Sequence, residues 1–441
     1  MKLLVVTHDY APAQSPRAFR WTAVAEALAA RGHQVDVVCG ALSGAPRDEV
    51  RNGVAVHRAG GRAGEVVRRR LGVETPTVPS PAGGGAGNGA GTPSGAWTAV
   101  RAAARWVHDR TWKQVYWPDF ACAWYLPAAR RAAALLRGGG YDRLVTVSHP
   151  FTGHLVGARL NALFPSLPWV MDVGDPFAFI VGTPTNNGRL YAGLNHRTER
   201  RLLRAAAAVS VTTEGTRARY AEVFPESGAK VTVIPPLLSL PETPAEGARL
   251  LDPAPGRLPL VFVGTLHPRL RTPERLLALF RALLATSVGP RLELHFVGPL
   301  NGCEAAFEPY ADLVGERVFL HGPVARARAF AAMREAAALV NLGNRSGYQL
   351  PSKVVEYVAT GRPVVNLAGA ADDVSVEFFA GYPAALQLGP HEPDGPETVA
   401  AVAAFLERGA RADAEAVERC LAPYRPGAIV GAYERLLECA R

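Results

Sequence analysis

Lys353 and Glu356 stand three residues apart in the stretch Pro351-Ser-Lys353-Val-Val-Glu356-Tyr-Val-Ala359-Thr-Gly361-Arg-Pro363. On a helix that spacing puts an ammonium and a carboxylate on nearly the same face. A carboxylate one turn inside a helix can accept from the vicinal hydroxyls of a ribose. The free N–H groups of the helix start, with a lysine beside them, suit a phosphate. The elements that would hold the pair are legible on both sides. An apolar strand, Ala337 to Leu342, runs into a polar turn containing Gly347, Tyr348 and Leu350. Pro351 fits the first turn of a helix, where its missing N–H would have no partner anyway. The helix is expected to stop at Thr360-Gly361, and Pro363 opens a strand at Val364 to Leu367. Lys353 and Glu356 would also serve as a plain i,i+3 ion pair on a helix surface.

The 441-residue chain is long enough for two or three domains with full cores. Its net charge of +9 is lopsided: residues 1–200 hold 23 Lys and Arg against 13 Asp and Glu, the remainder 25 against 26. The excess in the first half fits an anionic partner, an acidic membrane surface or a phosphorylated acceptor rather than nucleic acid, or else a solvated basic face. Cys39, Cys122, Cys303, Cys420 and Cys439 form neither a CxxC nor a metal-ligand cluster and suit a reducing cytosol. The apolar run Leu3 to Val6 is too short for a secretion signal, and no apolar stretch approaches a membrane span. A cytoplasmic location is expected, either free or at the inner face of the membrane.

Lys2 to Thr7 reads as a buried parallel strand, Arg17 to Arg31 as an amphipathic helix capped by Gly32, and Gln34 to Cys39 as a second strand. This βαβ opening carries no GxGxxG, which disfavours a dinucleotide cofactor. Residues 75–96 are dense in Pro, Gly, Ser and Thr and are expected to form a disordered loop. Five of the seven tryptophans follow between Trp97 and Trp124, with Arg101, Arg105, Arg110 and Lys113 interleaved. Trp117 and Trp124 read as core. Trp97 to Lys113 suits either core or an interfacial helix on an anionic membrane. Strands at Tyr141 to Val147, Trp169 to Asp172 and Ala208 to Thr212 continue an α/β domain over residues 1–238. A proline-rich linker follows at 239–258. The second domain, 259–425, restarts at Leu260 to Val263, with strands at Leu292 to Val297, Val318 to Leu320, Leu339 to Leu342 and Val364 to Leu367. The final helix, in residues 426–441, would return to the first domain.

The Pro-Ser-Lys353-x-x-Glu356 signature resembles the donor-binding motif of glycosyltransferases with the two-domain GT-B fold, and of family 4 in particular. Ala-Arg-Gly-His33-Gln-Val-Asp-Val at the second strand is also similar to that group. The resemblance implies an α/β protein of two Rossmann-like, doubly wound domains facing a cleft. It implies a nucleotide diphosphate sugar, UDP or GDP, as co-substrate, with no other cofactor and no metal. It further implies a hydroxylated acceptor, free or lipid-linked, and transfer with retention at the anomeric carbon.

Residue by residue, the resemblance assigns the ribose to Glu356 and the diphosphate to the helix start with Lys353. Gly264, Arg269 and Arg271 lie in the loop after the second domain's first strand, where ligands bind in such sheets. A cation there would stabilise the charge that develops on the leaving diphosphate. Arg271 is the expected clamp, with Arg269 the alternative. The family carries an arginine directly after that glycine, where this chain has Thr265. It also carries a first glutamate where this chain has Tyr348, which implies altered recognition of the donor sugar by Gly347, Tyr348 and Leu350. The resemblance points to His149 as a catalytic residue beside Arg271 and Lys353, and on the acceptor side to His154, Asp172, Asp175, Arg17 and Arg20. Two other readings stand beside it: a nucleotide-sugar 2-epimerase, which shares the GT-B fold and would carry more acidic residues in the cleft, and a non-catalytic nucleotide-sugar-binding subunit, consistent with Tyr348 and Thr265.

Overall fold

The computed structural model describes residues 1–61, 111–182, 184–241, 250–251, 253, 255–390 and 395–440. The 75–96 segment and the tryptophan–arginine stretch from Trp97 to Arg110 lie outside the described residues.

Runs of Val, Leu and Ile unbroken by polar residues favour strands covered on both faces. The central strands of the first sheet, such as β1 and β7, are of this kind, while the edge strand β3 is charged and exposed; the sheet comprises β1 (Lys2–Val6), β2 (Gln34–Gly40), β3 (Asp48–Arg51), β4 (Val54–Ala59), β5 (Arg143–Ser148), β6 (Trp169–Val173), β7 (Ala208–Val211) and β8 (Val231–Val233). Their order is β3-β4-β2-β1-β5-β6-β7-β8, all parallel except the β3–β4 pair. Helices α1 (Pro16–Ala30), α2 (Tyr125–Arg137), α3 (Thr152–Leu163), α4 (Gly188–Ala205) and α5 (Glu214–Val223) accompany them. Trp124 is buried in this domain's core and Trp117 packs against it.

The second sheet has six parallel strands in the order β11-β10-β9-β12-β13-β14. They are β9 (Leu258–Val263), β10 (Leu292–Val297), β11 (Val318–Gly322), β12 (Ala338–Leu342), β13 (Val364–Leu367) and β14 (Ala385–Leu388). The helices here are α6 (Glu274–Leu283), α7 (Arg326–Glu335), α8 (Lys353–Ala359), α9 (Val374–Ala380), α10 (Pro396–Arg408) and α11 (Ala414–Leu421). The last helix, α12 (Pro426–Cys439), lays Ile429, Tyr433 and Leu437 into the cluster that holds Trp21, Val24 and Leu28 of α1.

Both sheets are therefore Rossmann-like and doubly wound, as the alternation of strands and helices predicts. The antiparallel β3–β4 hairpin is an addition to that expectation. Its turn, Asn52-Gly53, has φ of 46° and 82°, the left-handed pair that a two-residue hairpin needs and that Asn-Gly favours.

Candidate active site between the two sheets

In open parallel sheets the ligand crevice lies beyond the C-terminal strand ends, and here the two crevices face each other. Arg17 follows β1, Gly174 and Asp175 follow β6, Arg326 follows β11, and Gln349, Leu350, Ser352, Lys353 and Glu356 follow β12; all of them line one cleft of about 170 Å³. The structure thus brings together Arg17, Arg20, Asp175, Leu350, Lys353 and Glu356 from widely separated parts of the chain.

Helix α8 is short, and its apolar residues explain its aim. Val354, Val355, Tyr357 and Val358 are buried in the second core, which turns Lys353 and Glu356 toward the cleft. The Tyr357 hydroxyl accepts from the Val263 N–H at 2.8 Å and so pins the helix to the end of β9. The helix begins at Lys353 rather than at Pro351, because the Val354 N–H closes a three-residue turn onto the Pro351 carbonyl. Thr360 and Gly361 end it as expected, Gly361 with φ of 67°.

Glu356 is buried, 7 % exposed, and its carboxylate holds two cations. Lys353 Nζ donates to Oε1 at 3.1 Å and to Oε2 at 2.9 Å. Arg326 donates to Oε1 at 3.1 Å. The i,i+3 pair therefore exists, but inside the cleft wall rather than on a solvated surface. Arg326 also bonds the Ser239 carbonyl and, at 3.2 Å, its hydroxyl, and stacks 4.5 Å over the Phe19 ring of α1. No local signal in Gly322-Pro-Val-Ala-Arg326-Ala-Arg328 sets Arg326 apart from its neighbours. Arg326 is the functional candidate that sequence reasoning missed.

Arg271, the expected clamp, is not among the residues that line this cleft; it lies in the loop after β9. Its backbone and that of His267 exchange hydrogen bonds, N to O, at 2.8 and 2.9 Å, closing the loop after β9. The guanidinium donates to Asn344 Oδ1 at 2.6 Å and lies against Gly264, where an added Cβ would stand 3.3 Å from it. Its Nε is buried with no hydrogen-bond partner among the described residues. Burial lowers its pKa, against the pull of Tyr357 and Asp373. A buried guanidinium with an unmet donor is costly unless an anion reaches it, which fits a diphosphate. Arg269 is exposed and enters no such arrangement.

The turn before α8 faces the first domain. Gly347 has φ of 68°. Tyr348 is buried and donates to the Phe179 carbonyl at 2.8 Å, while its own carbonyl accepts from Thr213 (2.6 Å) and Thr216 (3.0 Å). Its side chain thus ties the two domains together, and burial pushes the phenol up to about 12. Gln349, next to it, reaches Asp175 at 2.7 Å. Asp175 also meets Arg17 at 3.5 Å, and the Arg17 guanidinium fills the space that a side chain at Gly174 would need. A side chain at 174 would push the Arg17 guanidinium out of this position.

Three acceptor-side candidates are buried and spend their polar groups inside the protein. Asp172 is 1 % exposed and accepts from Trp21 Nε1 (2.7 Å), Ser210 (2.7 Å) and Tyr433 (2.8 Å), so its lone pairs are spent inside the domain. Arg20, although it touches the cleft wall, is committed to Tyr433 (2.8 and 3.0 Å) and to the carbonyls of Ile234 and Pro235. It joins α1, the end of the first sheet and α12. His154 is fully buried, hydrogen-bonded to Thr146 at 2.7 Å, and burial pushes its imidazole down to about 3. It is a neutral core residue. His149, half-buried at the end of β5, packs 5.6 Å from the Phe120 ring and does not line the cleft.

The loop after β1 adds an arrangement that the sequence motifs did not flag. Asp9 accepts from Ser15 (2.7 Å) and bonds His8 (2.7 Å), and Ser15 caps α1. Burial alone would raise the Asp9 carboxyl; His8, Ser15 and the nearby His149 outweigh it and hold it low. This cap sets the first turn of α1, from which Arg17 projects.

Residues 18–236 match the family described as glycosyl transferase 4-like domain. No curated protein sequence matches the chain. Among solved structures, sucrose-phosphate synthase from Thermosynechococcus elongatus is similar over 100 % of both chains, with a TM-score of 0.64 and 18 % identity. An alpha,alpha-trehalose-phosphate synthase (UDP-forming) from Burkholderia vietnamiensis matches with a TM-score of 0.62 and 14 % identity, over 99 % of this chain and 98 % of that one. HepE of Anabaena, solved in complex with UDP and glucose, matches with a TM-score of 0.54 and 13 % identity over 99 % of each. At these identities the likeness is one of fold. The chain has the two-domain GT-B fold of these glycosyltransferases, and its residues 18–236 resemble the glycosyl transferase 4-like domain.

Proposed function

We propose that the protein moves a sugar from a nucleotide diphosphate sugar to an acceptor hydroxyl, with retention at the anomeric carbon. The observation that carries this reading is the buried Glu356 carboxylate in the interdomain cleft, held by Lys353 and Arg326, with the partly unsatisfied Arg271 guanidinium in the loop after β9. Glu356 would take the ribose hydroxyls. Lys353 and Arg271 would face the diphosphate, where negative charge grows as the glycosidic bond breaks. With retention, the departing phosphate would help to remove the proton of the acceptor hydroxyl on the same face. Arg17 and Asp175, in the same cleft, would meet the acceptor. UDP or GDP is the preferred nucleotide, a choice consistent with UDP in one structural relative.

A domain division near 239–258 and a lipid-linked acceptor belong to the same proposal. So does peripheral membrane contact through the basic first half. Among the described residues no helix is long and apolar enough to cross a membrane.

Calorimetry with UDP, GDP, ADP and dTDP tests the reading, since a true ligand binds and stabilises by mass action. One of the four should bind, and Glu356→Gln should weaken it. No affinity for any of them would overturn the proposal. The engagement of Tyr348 with the Phe179 carbonyl favours one alternative, a binding subunit without turnover, because it removes a side chain from the donor-sugar position. Nucleotide release in the presence of an acceptor extract separates the two.

A further inference from the structure

A second cavity lies in the first domain, away from the nucleotide cleft. Its walls come from the start of β3, the end of β4 and α2, and it encloses about 300 Å³. Four arginines meet there, Arg47, Arg58, Arg130 and Arg131. Two are neutralised: Arg58 pairs with Glu49 at 2.6 Å, and Arg131 with Asp48. Arg47 and Arg130 are exposed, and neither has an acidic partner among the described residues. Among the described residues the pocket therefore carries two uncompensated positive charges.

The floor of the pocket is built rather than incidental. Arg58 is only 4 % exposed, and its guanidinium is fixed by the carbonyls of Pro46 at 3.0 Å and Ala11 at 2.6 Å. Ala11 belongs to the loop after β1, the loop whose Ser15 caps α1 and sets Arg17 in the cleft. The pocket is thus joined through one side chain to the acceptor side of the cleft. Like charges gathered in one concavity repel, and a dianion relieves that repulsion. Guanidinium forks match phosphate oxygens in pairs, and a phosphomonoester carries close to two negative charges at neutral pH.

We propose that this pocket binds a phosphoryl group of the acceptor substrate, making the acceptor a phosphorylated molecule. This rests on the transferase reading for its meaning but not for its test. The probe is inorganic phosphate, titrated with the nucleotide cleft saturated by whichever nucleoside diphosphate binds, or with the free protein if none does. Arg47→Ala with Arg130→Ala should weaken phosphate at least about tenfold, the effect of losing one good charge-assisted contact. Both positions are exposed, so the fold should survive, and nucleotide affinity should stay unchanged.

A second arm separates the sources of the phosphate. If it belongs to a lipid headgroup, vesicles of phosphatidylcholine with phosphatidic acid should retain the wild type, pure phosphatidylcholine should not, and the double variant should be lost from both. Phosphate binding without vesicle retention supports a soluble phosphorylated acceptor. Equal phosphate affinity in wild type and the double variant would overturn the proposal, whatever the nucleotide measurements show.

Discussion

Arg326 and Glu356 come from different helices, 30 residues apart in sequence, and meet at 3.1 Å, so that one buried carboxylate is shared between Arg326 and Lys353. Arg326 simultaneously stacks on Phe19 of the first domain and bonds Ser239 between the domains. The group expected to hold the donor therefore also touches the first domain through Phe19. A ligand that takes hydrogen bonds from Glu356 must compete with both cations, and the contact between the domains feels the exchange.

Replacing Glu356 with glutamine should lower donor affinity by about 1–3 kcal/mol, the range for a hydrogen bond to a charged group. Calorimetry with the best-binding nucleotide reads this directly. Unchanged affinity would remove Glu356 from the site.

Arg326→Lys should be worse than its charge suggests. A lysine is a point charge that cannot bond Ser239 and Glu356 together while stacking flat on Phe19. We expect donor affinity to fall about as far as in Arg326→Ala, by about 1–3 kcal/mol. Small-angle scattering should show both variants less compact than the wild type. Full rescue by lysine would mean that only the charge matters.

Arg271→Ala combined with Lys353→Ala removes two cations from the expected diphosphate position. If they stabilise charge that develops during transfer, kcat should fall by more than KM rises. Altered KM with normal kcat would show that they hold only the ground state.

The buried His154 predicts a pH effect on stability rather than on catalysis. Its imidazole is held at about 3 in the folded protein, against 6.5 unperturbed. The unfolded chain therefore binds a proton that the folded chain refuses, so this group destabilises the fold as pH drops below about 6.5 and has no effect above it. At about pH 5 the cost is about 2 kcal/mol. Denaturant unfolding of His154→Leu and wild type at pH 7 and 5 should show the variant losing less stability on acidification. Equal losses would mean that His154 is protonated in the fold.

The local pattern carried a good deal of this protein. Apolar runs and their glycine and proline punctuation placed most strands, and Pro351 to Pro363 marked the helix that bears Lys353 and Glu356. Asn52-Gly53 is likewise the local signal of the β3–β4 hairpin. Such features are local because backbone preference and periodic burial act over a few residues. The identity of the cleft residues did not follow in the same way. Asp172 and Asp175 are three residues apart, yet Asp172 points into the core to satisfy Trp21, Ser210 and Tyr433, while Asp175 reaches Gln349 across the cleft. Arg17 and Arg20 divide similarly between cleft and scaffold. Alternate faces of a strand or helix are chosen by what packs on each, and the partners arrive from up to 413 residues away. Arg326 shows the same limit from the other side. Its sequence neighbourhood is ordinary, and only the approach of α8, the linker and α1 makes it a shared partner of Glu356.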